Sequence, residues 1–301
     1  MQMDAIENFR VPHGKKIELK TYDSGWIPKW ASNLEKKETK KAVKEKALDI
    51  VEANRQKLIN MQELFWASDS YSMLIILQGM DAAGKDGVIS HVMSGVNPQG
   101  CQVYGFKTPS EEELNHNFLW RYMKALPERG RIGIFNRSYY EDVLIVKVRP
   151  EILEKQKLPP GPTGKTFWFQ RYEDINVFER HLVRNGTVIL KFYLNVSKDR
   201  QKQRLLKRLE DPDKHWKFSF TDLSERAKWK EYMEAYEDVL NETNTEWAPW
   251  YVIPADKKWV EHASISEIIV SKIESLKLNY PVLTEEQSAA LDKAKAELER
   301  E

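Results

Sequence analysis

The chain has 301 residues, with 47 basic side chains against 46 acidic ones and one cysteine, Cys101. That length buries a full core, as one large α/β domain with appendages. A balanced net charge excludes any inference about partners from global charge, and a lone cysteine excludes an internal disulfide and suits a reducing compartment.

The longest apolar run is far too short to cross a membrane. The first residues, MQMDAIENFRVPHG, carry no apolar core of a secretory signal. A cytoplasmic protein is expected, with neither a membrane nor nucleic acid as partner. Residues 1–32 read as an irregular N-terminal extension, broken by Pro12, Gly14, Gly25 and Pro28. Asn33–Trp66 reads as a helix, because Leu34, Val43, Ala47, Ile50, Val51, Leu58, Met61, Leu64 and Phe65 recur at three- and four-residue steps. Its apolar face packs either on its own domain or on a second copy, so a homo-oligomer is one of two expected arrangements.

The most informative stretch follows. An apolar strand, Met73–Gln78, runs into Gly79-Met80-Asp81-Ala82-Ala83-Gly84-Lys85-Asp86-Gly87. Gly79, Gly84 and Lys85 fit the phosphate-loop spacing G-x-x-x-x-G-K, and the helix Lys85–Met93 can follow. Loop amides wrap phosphates, the helix adds its positive end, and the lysine adds a full charge. The residue after the lysine is normally Ser or Thr, whose hydroxyl holds Mg²⁺. Here it is Asp86, and a second acid, Asp81, lies inside the loop. An acid beside phosphate needs a cation between them, so the pattern asks for Mg²⁺ (or Mn²⁺) on a carboxylate. The alternatives are a turn-forming role for Asp81 and a helix-capping role for Asp86.

The second strand, Cys101–Phe106, ends at Lys107-Thr108-Pro109, which puts Lys107 at a strand end where phosphate ligands gather. Cys101 itself reads as a packing residue. A helix is expected over Glu111–Ala125. The third strand, Arg131–Phe135, ends at Asn136-Arg137-Ser138-Tyr139-Tyr140-Glu141-Asp142. Enzymes of this loop class place an acid for Mg²⁺ at such a strand end; Asn136 cannot supply charge, and Glu141 and Asp142 follow one turn later. They either reach a metal or nucleotide or serve a helix dipole. Arg137 suits bidentate phosphate contact, with an ion pair to a nearby acid as the alternative. Gly161–Thr166, GPTGKT, looks like a second phosphate loop, but Pro159 replaces its first glycine and no strand leads in. It reads as a surface loop.

Helix Phe167–Arg184 and strand Thr187–Leu194 come next. The helix Lys198–Glu210 carries Arg200, Arg204, Lys207 and Arg208 on one stripe, with Leu205, Leu206 and Leu209 toward the other side. Lys214 and Lys217 extend the charge. After a strand aimed at the phosphate loop, this segment, about 198–222, reads as a basic lid that closes over polyanionic phosphate. Helix Leu223–Asn241, strand Trp250–Ile253, helix Ile265–Leu276 and a charged C-terminal helix, Glu285–Arg300 within 281–301, complete the chain. Trp216, Trp229, Trp247, Trp250 and Trp259 read as packing residues. Strands alternating with helices imply a parallel sheet covered on both faces, with the site at the strands' carboxyl ends.

The stretches GMDAAGKDG, FKTPS, IFNRSYYEDV (Ile134–Val143), RLLKRLEDPDKHWKFS (Arg204–Ser219) and RAKWKEYMEAYEDVL (Arg226–Leu240) together resemble the polyphosphate kinase 2 family, from about Asn33 to Leu276. The resemblance implies a three-layer P-loop kinase fold, a five-stranded parallel sheet with a helical lid, over 33–280. It implies reversible, Mg²⁺-dependent transfer of a terminal phosphoryl between inorganic polyphosphate and nucleotides. It implies that Asp81 and Lys85 are catalytic and that Arg137, Lys107, Arg204, Arg208 and Lys217 contact phosphates. Members restricted to nucleoside diphosphates tend to read DRSWYNR at 136–142. NRSYYED is similar to the subgroup accepting both mono- and diphosphates, which makes Glu141 a candidate for metal or acceptor-side work. An ATP-dependent small-molecule kinase and a non-catalytic nucleotide-binding module are the competing readings.

Overall fold

The computed structural model describes residues 3–28 and 36–301; the expected start of the first long helix, with Leu34, lies outside them. Five strands form one parallel sheet: β1 (Ser72–Gln78), β2 (Cys101–Gly105), β3 (Ile132–Asn136), β4 (Thr187–Asn195) and β5 (Trp250–Pro254), in the spatial order β2-β3-β1-β4-β5. All five coincide with the apolar runs of the sequence. β1 is central and every one of its residues is buried, because helices cover both faces of the sheet. The order reverses between β1 and β3, which places the loop after β1 at the switch point where ligands bind in such sheets.

The helices used below are α1 (Lys36–Ser68), α2 (Lys85–Val92), α3 (Gly164–Arg184), α4 (Lys198–Glu210), α5 (Phe220–Ala227), α6 (Trp229–Glu242), α7 (Lys258–Ser275) and α8 (Glu285–Leu298). The apolar face of α1, with Val43, Ala47, Leu58 and Phe65 buried, packs on α7 of its own domain. Asn54 of α1 donates to Ser266 Oγ at 3.1 Å across that contact.

Three expectations need correction. The N-terminal residues are not merely irregular: Ala5–Phe9 is a short helix, and Met3, Phe9, Val11 and Leu19 are buried in the core. Glu267 anchors this segment by accepting the amides of Met3 and Ala5 at 2.9 and 3.0 Å. The helix expected over 111–125 is split into Glu111–Leu114 and Trp120–Met123. Asn117 Oδ1 accepts the Leu119 amide at 3.1 Å, a local bond that competes with helix continuation. The helix expected over 223–241 is broken at Lys228 into α5 and α6. The GPTGKT stretch is exposed throughout, and no strand precedes it; Gly164 opens α3 instead.

Candidate active site

The loop Gly79–Gly84 leaves β1 at its carboxyl end and turns into α2. Backbone geometry dictates its glycines. Gly79 has φ 153°, and a Cβ there would fall 3.0 Å from the Leu194 carbonyl oxygen. Gly84 has φ 130°, and its Cβ would fall 2.6 Å from Oε1 of Glu261. Ala82 adopts φ 61°, a left-handed conformation that costs a non-glycine residue on the order of 1–3 kcal/mol. Gly87 closes the motif one turn into α2, where a Cβ would meet His262 Nε2 at 3.6 Å.

Donors from α4 hold the loop from behind. Gln201 Nε2 donates to the Asp81 carbonyl at 2.9 Å. Arg204 Nη1 donates to the Ala82 carbonyl at 2.9 Å and to that of Ala83, and its Nη2 donates to the Ala255 carbonyl at 2.5 Å. With carbonyls committed to the protein side, the loop's amides and the first amides of α2, which have no intrahelical acceptor, make an anion cradle. Lys85 spans the loop, donating from Nζ to the Gly79 carbonyl at 2.6 Å. Burial, and then the neighbouring Arg137 charge, lower its pKa.

The β3 end delivers the opposing groups. The Arg137 amide donates to the Leu77 carbonyl at 3.2 Å, which ties the residue to the central strand, and its φ is 67°. Its guanidinium donates to Asp81 Oδ1 at 2.7 Å and lies 3.8 Å from Glu141 Oε2. Glu141, then desolvation, then Asp81 shape its pKa, and the two acids win, raising it. Both sequence-level readings of Arg137 are therefore compatible: it is ion-paired, and it stands beside the loop. Asn136 Nδ2 donates to Asp86 Oδ1 at 2.8 Å, so Asp86 locks the strand end to the first turn of α2. The acid pair divides. Glu141 faces Arg137, whereas Asp142 is buried, accepts from Gln156 at 2.7 Å and is pushed up to about 6 by desolvation, against the opposing charge of Arg171.

Other candidates are placed differently. Lys107 is exposed at the end of β2; the Phe106 amide donates to the Asn136 carbonyl at 3.2 Å and keeps it beside the β3 end. Arg204, expected on the phosphates, instead braces the loop, because its guanidinium is engaged by three carbonyls. The α4 stripe is thus partly inverted: Arg204 turns inward, while Leu206 and Leu209 are exposed. Arg208 pairs with Asp222 of α5 at 3.3 Å, and Lys207 and Lys217 are exposed. Trp216 is a further correction: it is 78% exposed, with Lys217 Nζ 4.8 Å from its ring. Trp250 is buried as expected. Burial, then the charges of Arg204, Arg200 and Lys217, depress the Lys258 pKa, which marks a cationic cluster between α4 and the start of α7.

Sequence reasoning missed Gln201, Glu261 and a buried network behind the site. Lys191 of β4 donates to Glu179 Oε2 at 2.7 Å, to Tyr140 OH at 2.9 Å and to the Thr243 carbonyl at 2.8 Å. Tyr139 and Tyr140 each donate to Glu179 Oε1 at 2.8 Å. A lysine inside an otherwise apolar strand, TVILKFYLN, was the available signal.

Among the described residues no three acids, histidines or cysteines form a ready-made metal cage. Asp81 and Glu141 are the acids beside the loop that could hold a divalent cation, since Mg²⁺ takes one or two carboxylates and completes its shell with water and substrate phosphate. No helix is long and apolar enough to cross a membrane among the described residues.

Comparisons with known proteins agree with this geometry. The chain is 48% identical to an ADP-polyphosphate phosphotransferase of Rhodopseudomonas palustris, covering 92% of this chain and 93% of the relative. It is 42% identical to an AMP/ADP-polyphosphate phosphotransferase of Meiothermus ruber, covering 92% of this chain and 96% of that protein. The crystal structure of polyphosphate kinase 2 from Arthrobacter aurescens superposes with a TM-score of 0.81 at 37% identity, over 97% of this chain and 96% of that one. A sequence model of polyphosphate kinase 2 matches residues 38–281, and with the phosphate loop, the parallel sheet and these relatives it establishes that the chain belongs to the polyphosphate kinase 2 family.

Proposed function

We propose that this family member transfers the terminal phosphoryl of inorganic polyphosphate to nucleoside mono- and diphosphates, making ADP from AMP and ATP from ADP, reversibly. The observation that carries the reading is Arg137 held between Asp81 and Glu141 beside an amide cradle and Lys85. One guanidinium flanked by two acids offers a cation for phosphate oxygens and a carboxylate pair for Mg²⁺ in one place. An oxygen of the acceptor phosphate attacks the terminal phosphorus of the chain. The bond to the bridging oxygen breaks, and polyphosphate leaves one unit shorter with the electron pair.

The protein's part is positioning and charge stabilisation. Lys85 and the loop amides orient the acceptor's phosphates. Arg137 neutralises charge on the transferring group. Asp81 and Glu141 would hold Mg²⁺, which supplies charge neutralisation across the phosphates. The segment about 198–222 serves as the lid over the donor chain, with Lys207, Arg208 and Lys217 on it and Lys107 at the opposite strand end. Arg204 acts one step back, through the loop. The kinase domain spans 33–280, with 1–32 and 281–301 as appended segments.

The test is a donor–acceptor matrix of polyphosphate or ATP against AMP, ADP, GMP and GDP with Mg²⁺. ATP formed from ADP and polyphosphate is the expected result. Turnover with ATP as the only effective donor would replace this reading with an ordinary nucleotide kinase. Glu141→Asn is expected to lower the ratio of AMP to ADP turnover by about tenfold if this acid works at the acceptor side. A ratio within about twofold of the parent chain would remove Glu141 from that role.

A further inference from the structure

Glu261 lies in the first turn of α7, directly beneath the phosphate loop. It is fully buried, and neither carboxyl oxygen has a hydrogen-bond partner among the described residues. A Cβ on Gly84 would fall 2.6 and 2.8 Å from its two oxygens, so the carboxyl is pressed against the turn that opens α2. Arg204, the loop's brace, is its neighbour, yet no ion pair joins the two, and Arg204 Nε is itself buried without a partner. An ionised carboxylate in such a place has cations near it but neither an ion pair nor a hydrogen bond, and buried charge requires both. A neutral acid costs far less to desolvate there.

We propose that Glu261 is a positioning residue that sits under the phosphate loop as a neutral acid, and that binding of the acceptor's phosphates on the loop is coupled to proton uptake at its carboxyl. This rests on the reading of Gly79–Gly87 as the phosphate site. The groups facing Glu261 are Arg204 from α4, Lys85 from α2, Lys258 at the start of α7 and Asp256 in the turn before it. Desolvation pushes the carboxyl up to about 8 against the pull of Arg204, Lys258 and Lys85. The adjacent His262 is driven the other way, to about 4, so it stays neutral over the same range.

Two consequences follow from ionisation. A negative charge appears below bound phosphates and repels them. It also competes for Arg204, whose guanidinium otherwise holds the carbonyls of Ala82, Ala83 and Ala255. Both effects weaken phosphate binding. By linkage, bound phosphate must then raise the carboxyl's affinity for its proton, and affinity falls as pH rises through about 8.

Calorimetric titration of the full chain with ADP at pH 8, in buffers of different ionisation enthalpy, measures the protons taken up. The parent chain is expected to take up about half a proton more than Glu261→Gln. Its KM for ADP is expected to rise about fivefold between pH 7 and 9, against less than about twofold in the variant, with kcat similar in both. Equal proton uptake in the two proteins overturns the inference. Infrared difference spectra of the parent chain keep the test open if the variant fails to fold: the protonated-carboxyl band should grow on adding ADP at pH 8, and an unchanged band counts against the proposal. Lys85→Ala separates the two readings. If it abolishes ADP binding while the parent chain and Glu261→Gln behave alike, only the proton coupling fails. If it binds as the parent does, the loop assignment itself fails.

Discussion

Asp81→Asn is expected to lower kcat by about 10²–10³-fold while leaving the dissociation constant for ADP within about threefold of its parent value. The substitution keeps the shape of the side chain and removes its charge. The loop does not depend on that charge for its course: Gln201 holds the Asp81 carbonyl, and Arg204 holds those of Ala82 and Ala83. The amide cradle and Lys85 therefore remain available to a nucleotide's phosphates. What disappears is one carboxylate for Mg²⁺ and the 2.7 Å contact that orients Arg137. Arg137 keeps only Glu141, at the longer separation of 3.8 Å, and is free to swing toward it. Both losses act where charge develops during transfer, which is why turnover rather than affinity carries the effect. Raising the Mg²⁺ concentration should recover part of the loss. Steady-state kinetics with ADP and polyphosphate, beside a direct ADP titration, measure the two quantities separately. Equal losses in both would show that Asp81 serves binding alone.

The sheet was legible because its strands are apolar runs bounded by charged or glycine-rich turns, and a strand buried on both faces leaves that trace. The phosphate loop was legible because glycine and lysine spacing encodes its backbone path directly. The lid's inner face was not. Periodicity assigned Arg200, Arg204, Lys207 and Arg208 to one stripe but said nothing of which cations meet carbonyls and which meet solvent. Arg204 was claimed by the loop because its long side chain reaches three backbone oxygens, a fact of tertiary geometry. Glu261 was invisible for another reason. α7 is buried nearly all round, with Val260, Ala263, Ile265 and Ile268 all inside, so it shows no amphipathic stripe, and its start was read seven residues late. Asp142 and Glu141 are adjacent acids whose opposite fates depend on Gln156 and Arg171 from later in the chain.

The buried network behind the site should make Glu179→Gln one of the most destabilising conservative changes in the chain, by about 3 kcal/mol. Lys191 and Glu179 are both fully inaccessible, and their ion pair is 2.7 Å long. Burial lowers the Lys191 pKa, and the Glu179 charge is what opposes it. Removing that charge leaves an ammonium in the core with neutral acceptors alone: the Tyr140 hydroxyl, the Thr243 carbonyl and one amide oxygen for which both tyrosine hydroxyls compete. For a chain of this size the unfolding midpoint should fall by roughly 5–10 °C. Adding Lys191→Met should recover part of the loss, because an apolar chain of similar length needs no partner, so the two changes together cost less than their sum. The same pair reaches the chemistry. Glu179 accepts both tyrosine hydroxyls of Arg137-Ser138-Tyr139-Tyr140-Glu141, the segment whose ends are Arg137 and Glu141. Glu179→Gln is therefore expected to lower kcat by about tenfold even at a temperature where the variant is fully folded. A variant that loses thermal stability but keeps parental kcat at low temperature would make the network a scaffold for the core alone. Unchanged stability would mean that Lys191 sheds its proton in the variant, which the pH dependence of the unfolding midpoint would reveal.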